Sequence, residues 1–515
     1  MREAFIPNES FGRNYPQKLT FTVFMICFGA ALSGLMAGYV LGMAGGVTLM
    51  DSFLKEFYPE VYQNHNIIND QYCKFDSPIL TWFISSLYLA AMIGSLLAST
   101  FTRLYGRLET RFFGNLFFHF GIMVWCFPQQ QSSMLMVGCV LLGFGIGWTF
   151  QSVPIYISEF APYKYRGALN MLFQLTITIG IFVANVFNYI FSRMESGEEW
   201  FVNLLYYATF PAVMTTLSLM FPLIFRLDTP ISLIVRGFNK RAKITLIRIR
   251  GTTNVKEEFE DLLVASESSK VVKHPWVSLL KRQYRPQLTF AIVIPFFQQL
   301  TGMNVIVYNA PVLFKTIGFE ANASLLFAMI TGCCNVIATL VSIFTVDKFG
   351  RRSLFLKGVI QMFICQIVIA IAIACKFGFD GNPGMLPKWY VIVVVCGICV
   401  YVTGIAWSWG PLGCLVPSEI FPLEVRSSAQ SITVSMNMIF TFVVIQNFTN
   451  IFCHMKLGLF IFFACFIIVM STFIDSLLPE TKEVHIEKMH VVWQSHPYWK
   501  KFVKQTDVTT IRNEY

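Results

Sequence analysis

Asp347-Lys348-Phe349-Gly350-Arg351-Arg352 is a charged turn set between two apolar runs, near Ser324–Val346 and Ser353–Cys375. Arg103-Leu104-Tyr105-Gly106-Arg107 holds the same place in the first half, between runs near Ile79–Phe101 and Phe112–Phe127. Such runs approach the roughly 20 residues that carry a helix across hydrocarbon. Outward from these turns, further runs lie near Leu19–Ala44, Met134–Ile157, Gly167–Phe191 and Phe201–Phe225. Past a polar stretch, Arg226–Arg285, come runs near Pro286–Tyr308, Trp389–Val416, Ser427–Phe452 and Leu457–Leu478. The expected fold is therefore an all-α membrane protein, twelve spans in two six-helix bundles. Helices are expected because lipid offers no partner for backbone amides, and the alternation of a membrane barrel is absent.

Composition agrees. Only 13 % of the 515 residues are charged and mean hydropathy is +0.58, where a soluble domain carries roughly 25 % charge. The net charge of +10 argues for topology rather than nucleic acid. Of 39 Lys and Arg, alternate loops hold only Lys55, Lys74, Arg193, Lys315, Lys376, Lys388 and Lys456. Positive-inside bias thus places both termini in the cytoplasm. Met1–Lys18 contains Glu3 and Glu9 and reads as a cytoplasmic N-terminus without a cleavable signal. The domain reading is 19–225 for the first bundle, 226–285 for amphipathic cytoplasmic linker helices, 286–478 for the second bundle and 479–515 for a cytoplasmic tail. The chain lacks a GxSxG elbow, a phosphate loop and HExxH spacing, which argues against an enzyme.

The halves echo each other beyond the opening turns. Ser158-Glu159 with Arg166 follows span four, and Ser418-Glu419 with Arg426 follows span ten, with the same Glu-to-Arg spacing. Asp228-Thr229-Pro230 after span six answers Pro479-Glu480-Thr481 after span twelve. Charge clusters repeated on one side are what a rocking carrier needs, since they can pair in one state and part in the other. Arg103, Arg107, Glu159, Arg166, Asp347, Arg351, Glu419 and Arg426 are therefore expected to form gating salt bridges.

Four strings carry a resemblance: the opening turn, Phe297-Gln298-Gln299-Leu300-Thr301-Gly302, Trp407-Ser408-Trp409-Gly410-Pro411-Leu412-Gly413 and Val416-Pro417-Ser418-Glu419-Ile420-Phe421-Pro422. They resemble the sugar porters of the major facilitator superfamily, and more closely the plant sugar transport proteins, which are hexose/proton symporters. Similarity runs from about Gly45-Gly46-Val47 to His496-Pro497-Tyr498-Trp499. The resemblance implies a plasma-membrane carrier acting as a monomer, with no cofactor beyond protons as co-substrate.

A hexose presents hydroxyls and no charge, so its site calls for neutral amides in an apolar span. The resemblance assigns sugar contact to Gln298, Gln299 and Asn304 on span seven, Gln174 on span five, Asn335 on span eight and Asn437 on span eleven. Pro295 and Gly302 are expected to break span seven. Three positions depart from the family pattern. Val40 stands for the span-one Asp of the proton site, Cys139 for its span-four Arg, and Cys414 for a Trp that stacks on the sugar. Trp407 and Trp409 are the neighbouring indoles. His119 reads as a hydrogen-bonded core histidine. By the same resemblance, Cys73 and Cys453 tie an external lid, about 47–76, to the second half by a disulfide. Three readings stand: a hexose/proton symporter, an uncoupled hexose facilitator, and a sugar sensor that does not cycle.

Overall fold

The computed structural model describes residues 18–47, 51–65, 78–126, 132–192, 200–225, 227–272, 274–303, 321–377, 388–455, 458–482, 484 and 489–503. The expected spans of the first half appear as α1 (Phe21–Val47), α4 (Pro78–Tyr105), α5 (Arg107–Cys126), α6 (Ser132–Phe160), α7 (Arg166–Phe191) and α8 (Trp200–Phe225). Between α1 and α4 lie two short helices, α2 (Asp51–Phe57) and α3 (Pro59–His65). After α8 come four short helices: α9 (Pro230–Val235), α10 (Asn239–Arg250), α11 (Lys256–Val271) and α12 (Pro275–Leu279). The second half is built from α13 (Arg285–Leu300), α14 (Ala321–Phe349), α15 (Arg351–Phe377), α16 (Lys388–Trp407), α17 (Trp409–Ile420), α18 (Arg426–Met455) and α19 (Gly458–Leu477), and α20 (Met489–Ser495) follows. Nine of the described helices are long and apolar enough to cross a membrane. Every described element is helical, as expected of an all-α, multi-pass membrane protein.

Within the first half α1 packs lengthwise on α7. Gly38 sits against the Ile177 backbone and Gly180 against Leu35, so a methyl group at either would overlap the facing helix. Small residues let membrane helices approach this closely, because packing rather than water exclusion drives their association. Phe53 and Leu54 of α2, with Tyr58 between α2 and α3, are buried against Tyr39, Phe83 and Leu135 of the first half.

Two helix pairs make the main join between the halves, α4 with α18 and α7 with α14. Along them Ser431 Oγ donates to Ser95 O at 2.7 Å, the Ser95 and Ser435 hydroxyls lie 2.8 Å apart, and Ser85 Oγ donates to Gln446 Oε1 at 2.8 Å. Asn185 Nδ2 donates to Ala328 O at 3.3 Å on the other seam.

Breaks in the helices differ in part from expectation. α13 passes through Pro295 unbroken and ends at Leu300, with Gly302 following at φ +80°. The span expected as one run over Trp389–Val416 divides at Ser408, between α16 and α17. Pro411 has no N–H to offer the Trp407 carbonyl. That carbonyl accepts instead from Ser342 Oγ of α14 at 3.1 Å.

Candidate functional site

Between the halves lies a chamber walled by α7, α13, α17 and α18. Five carboxamides line it: Gln174, Gln298, Gln299, Gln430 and Asn437. Tyr88, Thr433, Thr441 and Cys414 add further polar atoms, and Leu41, Ile177, Met303 and Val434 add apolar wall. Among the described residues that line it there is no Asp, Glu, His, Lys or Arg. Hydroxyl-rich neutral solutes suit such a wall, since each amide both donates and accepts.

Helix breaks position the amides. Gln298 Nε2 donates to Trp409 O at 3.2 Å and Gly410 O at 3.3 Å, at the start of α17. Its Oε1 accepts from Asn437 Nδ2 at 2.9 Å. One side chain thus ties α13, α17 and α18 together where α17 begins. The chamber encloses about 40 Å³, room for about three water molecules. A hexose is several times larger, so the walls must part to admit one.

Of the expected contacts, Gln174, Gln298, Gln299 and Asn437 come together here. Asn335 is buried on α14 without lining the chamber, and Asn304 lies outside the described residues. Gln430 was not singled out by sequence; it is buried, with Oε1 unpartnered. Its signal was a position seven residues before Asn437, two helical turns along the same face. Cys414 does face the chamber, and neither nearby indole replaces the missing ring. Trp407 Nε1 donates to Gln361 Oε1 at 3.0 Å, and Trp409 Nε1 donates to Phe355 O at 3.3 Å, its ring against that of Phe355.

Val40 and Cys139 are both buried in apolar clusters, Cys139 in the same cluster as Phe53 and Tyr58. His119 pairs its Nδ1 with Thr215 Oγ1 at 3.1 Å. Cys73 lies outside the described residues, as does the side chain of Cys453.

The charged turns form two matching clusters. Glu159 meets Arg107 at 3.1 Å and accepts from Thr229 Oγ1 at 2.5 Å. Glu419 meets Arg351 at 2.8 Å and accepts from Thr481 Oγ1 at 3.0 Å. Asp228 accepts from the Leu108 amide at the start of α5 at 3.4 Å, and Glu480 from the Arg351 amide at the start of α15 at 2.8 Å. Carboxylates are favoured at helix N-termini, where backbone amides point outward. Charged groups of these clusters also reach across to the other half: Arg426 Nη1 meets Glu159 at 3.4 Å, and Asp347 Oδ2 accepts from Ala168 N at 2.9 Å. The turn side of the protein is therefore latched. Asp347 also pairs with Arg351 at 3.0 Å. Arg103, the first-half counterpart of Asp347, donates to Val272 O at 3.2 Å, and Arg166 is half-buried at the start of α7.

A neutral chamber between two latched six-helix halves defines a polytopic membrane carrier. The family profile described as "Sugar (and other) transporter" matches residues 26–493, and the chain belongs to that family: it is a sugar porter of the major facilitator superfamily. It is 57 % identical over 493 residues to Sugar transport protein 1 of Arabidopsis thaliana, covering 95 % of this chain and 93 % of that one. It is 56 % identical to Sugar carrier protein C of Ricinus communis, covering 96 % and 94 %. Among solved structures, the fold is similar to that of the proton:xylose symporter XylE bound to 6-bromo-6-deoxy-D-glucose, with TM-score 0.77 and 23 % identity over 93 % of this chain and 100 % of that one. The inward-open XylE of E. coli matches with TM-score 0.67 and 23 % identity, over 92 % and 100 %.

Proposed function

We propose that this protein carries hexoses across the plasma membrane by alternating access, as a monomeric carrier rather than an enzyme, with no cofactor and no nucleic-acid partner. Both termini lie in the cytoplasm, and the two bundles rock about the seams α4–α18 and α7–α14. The observation that carries this reading is the chamber of five carboxamides, with no charged side chain among the described residues that line it. Gln174, Gln298, Gln299 and Asn437 hold the sugar hydroxyls, joined by Asn304 and Asn335 once the walls part. Arg107, Glu159, Arg351, Glu419, Arg426 and Asp347, with Arg103 and Arg166, form the cytoplasmic latch. A Cys73–Cys453 disulfide holds the lid to the second half.

Proton symport belongs to the class this chain resembles, and in this chain we propose that it is weakened or lost. Val40 and Cys139 stand where the titrating pair is expected, both buried among apolar side chains. The two replacements are mutually consistent, because a lone charge inside a span is costly.

Counterflow of labelled glucose in proteoliposomes tests the carrier reading. The parent protein should exchange internal for external glucose, and Gln298→Leu should raise KM about tenfold or more, since a buried sugar hydroxyl loses its partner. Glucose binding without counterflow would replace the carrier with a sensor.

A further inference from the structure

Linker helix α10 reads Asn-Lys-Arg-Ala-Lys-Ile-Thr-Leu-Ile-Arg-Ile-Arg, with five cations and no acid. Ala242, Thr245, Leu246 and Ile249 form its buried face, with Ala242 against Leu233 and Ile234 of α9. Lys240, Arg241, Lys243 and Arg248 are exposed on the opposite face. Ile244 stands among them at 66 % exposure, and Phe238, just before the helix, at 47 %. At about 100° per residue, Ile244 falls between Lys240 and Arg248, about 40° from each. The fifth cation, Arg250, is neutralised by Glu258 at 2.6 Å, so four charges face outward around an apolar seam.

Both ends of the helix are tethered to the ends of spans. Thr20 Oγ1, immediately before α1, donates to Ile249 O at 2.7 Å. Arg236, three residues before α10, donates from Nη1 to Tyr105 O, the last residue of α4, at 2.5 Å and pairs with Asp228. A helix of 12 residues, about 18 Å long, is thus held near both ends to the ends of two spans. Beside it a recess of about 310 Å³ opens between Leu108 and Glu109 of α5 and Arg241 and Ile244 of α10.

We infer that α10 is an in-plane anchor whose exposed face docks on anionic lipid of the cytoplasmic leaflet. The side of the membrane rests on the cytoplasmic assignment of the charged turns. Four outward cations complement a negative leaflet, and each favours anionic lipid about fivefold. Exposed Ile244 and Phe238 distinguish this face from a merely solvated one, because apolar side chains flanked by cations suit the boundary between headgroups and acyl chains. Arg236 and Arg241 lie over the Phe238 ring at 5.8 and 5.6 Å, which keeps that ring at the surface among the charges.

Hydrogen exchange of the full-length protein in nanodiscs tests this without any sugar, so it succeeds or fails independently of the carrier reading. Amides of α10 should exchange about tenfold more slowly in phosphatidylcholine with about 30 % phosphatidylserine than in phosphatidylcholine alone, because lipid contact suppresses local opening. Protection should fall to within about twofold at about 0.5 M salt, where screening is short-ranged. The variant Lys240→Gln/Arg241→Gln/Lys243→Gln/Arg248→Gln should lose the lipid response while the spans exchange as in the parent; Ile244→Gln should weaken it. Equal exchange in both lipids would overturn the proposal. So would equal protection by soluble glycerophosphoserine, or stronger protection by polyglutamate than by the anionic bilayer.

Discussion

Gly106 and Gly350 hold φ at +101° and +85°, one residue before the arginines that pair with Glu159 and Glu419. A Cβ at Gly106 would overlap the Asp228 carboxylate, and at Gly350 that of Glu480, so strain and the loss of a helix-capping carboxylate coincide. Gly350→Ala should therefore cost about 1–3 kcal/mol, read as a lowered Tm in detergent; an unchanged Tm would contradict this geometry. Gln430 is different. Its buried Oε1 has no partner in the latched state, so Gln430→Leu removes an unsatisfied acceptor at little structural cost. We expect Tm to hold while glucose KM rises about threefold or more. An unchanged KM would make Gln430 a bystander of the chamber.

At the scale of elements, the latch joins helix ends rather than helix faces. Glu159 sits on the last turn of α6 and serves Arg107 within its half and Arg426 across the seam. Arg426→Leu leaves Glu159 paired, and so should loosen the latch without unfolding the bundle. A cysteine introduced at Ser427 should label about fivefold faster from the cytoplasmic side in that background, since a coupling of this kind shifts a two-state equilibrium by roughly that factor. Glu159→Gln takes the carboxylate from the buried Arg107 and should cost about 3–5 kcal/mol, seen as poor yield and a depressed Tm. The repeated turns that mark these clusters were legible in sequence because each half carries the same charges at the same spacing. The pairing of Glu159 with Arg426, separated by 267 positions, was not, because no local pattern encodes which half's arginine crosses. The break at Ser408 was hidden for a related reason. Residues Trp389–Val416 read as one apolar run, and only Pro411 signalled that the Trp407 carbonyl would need Ser342. The chamber was legible where amides cluster, at Gln298 and Gln299, and not at Gln430, where a lone amide follows a charged helix start.

For the whole molecule, the remaining question is what drives the rocking. A symporter needs a group that binds a proton in one state and yields it in the other, coupled to the same two-state equilibrium as sugar binding. The described lining of the chamber offers no Asp, Glu or His, and the positions where the resembled symporters carry their charges hold Val40 and Cys139 amid Met36, Leu41, Tyr39 and Phe53. His119 is turned to Thr215 of α8 and is not among the residues lining the chamber. With coupling weakened or lost at Val40 and Cys139, as proposed, uptake should run chiefly down the sugar gradient. In cells lacking other hexose carriers, labelled glucose uptake should change by less than about twofold from about pH 5.5 to 7.5, and a protonophore should leave it unaltered over the same range, in which an unperturbed histidine or a raised carboxylate would titrate. Collapse of uptake on dissipating the gradient would overturn the uncoupled reading. The converse variant sharpens the test. Val40→Asp or Cys139→Arg alone buries a single charge and should destabilise the first half, whereas Val40→Asp/Cys139→Arg together supplies the pair. The double variant should recover stability relative to either single change and acquire protonophore-sensitive uptake. Recovered stability with uptake still indifferent to the gradient would locate the lost coupling elsewhere than at this pair.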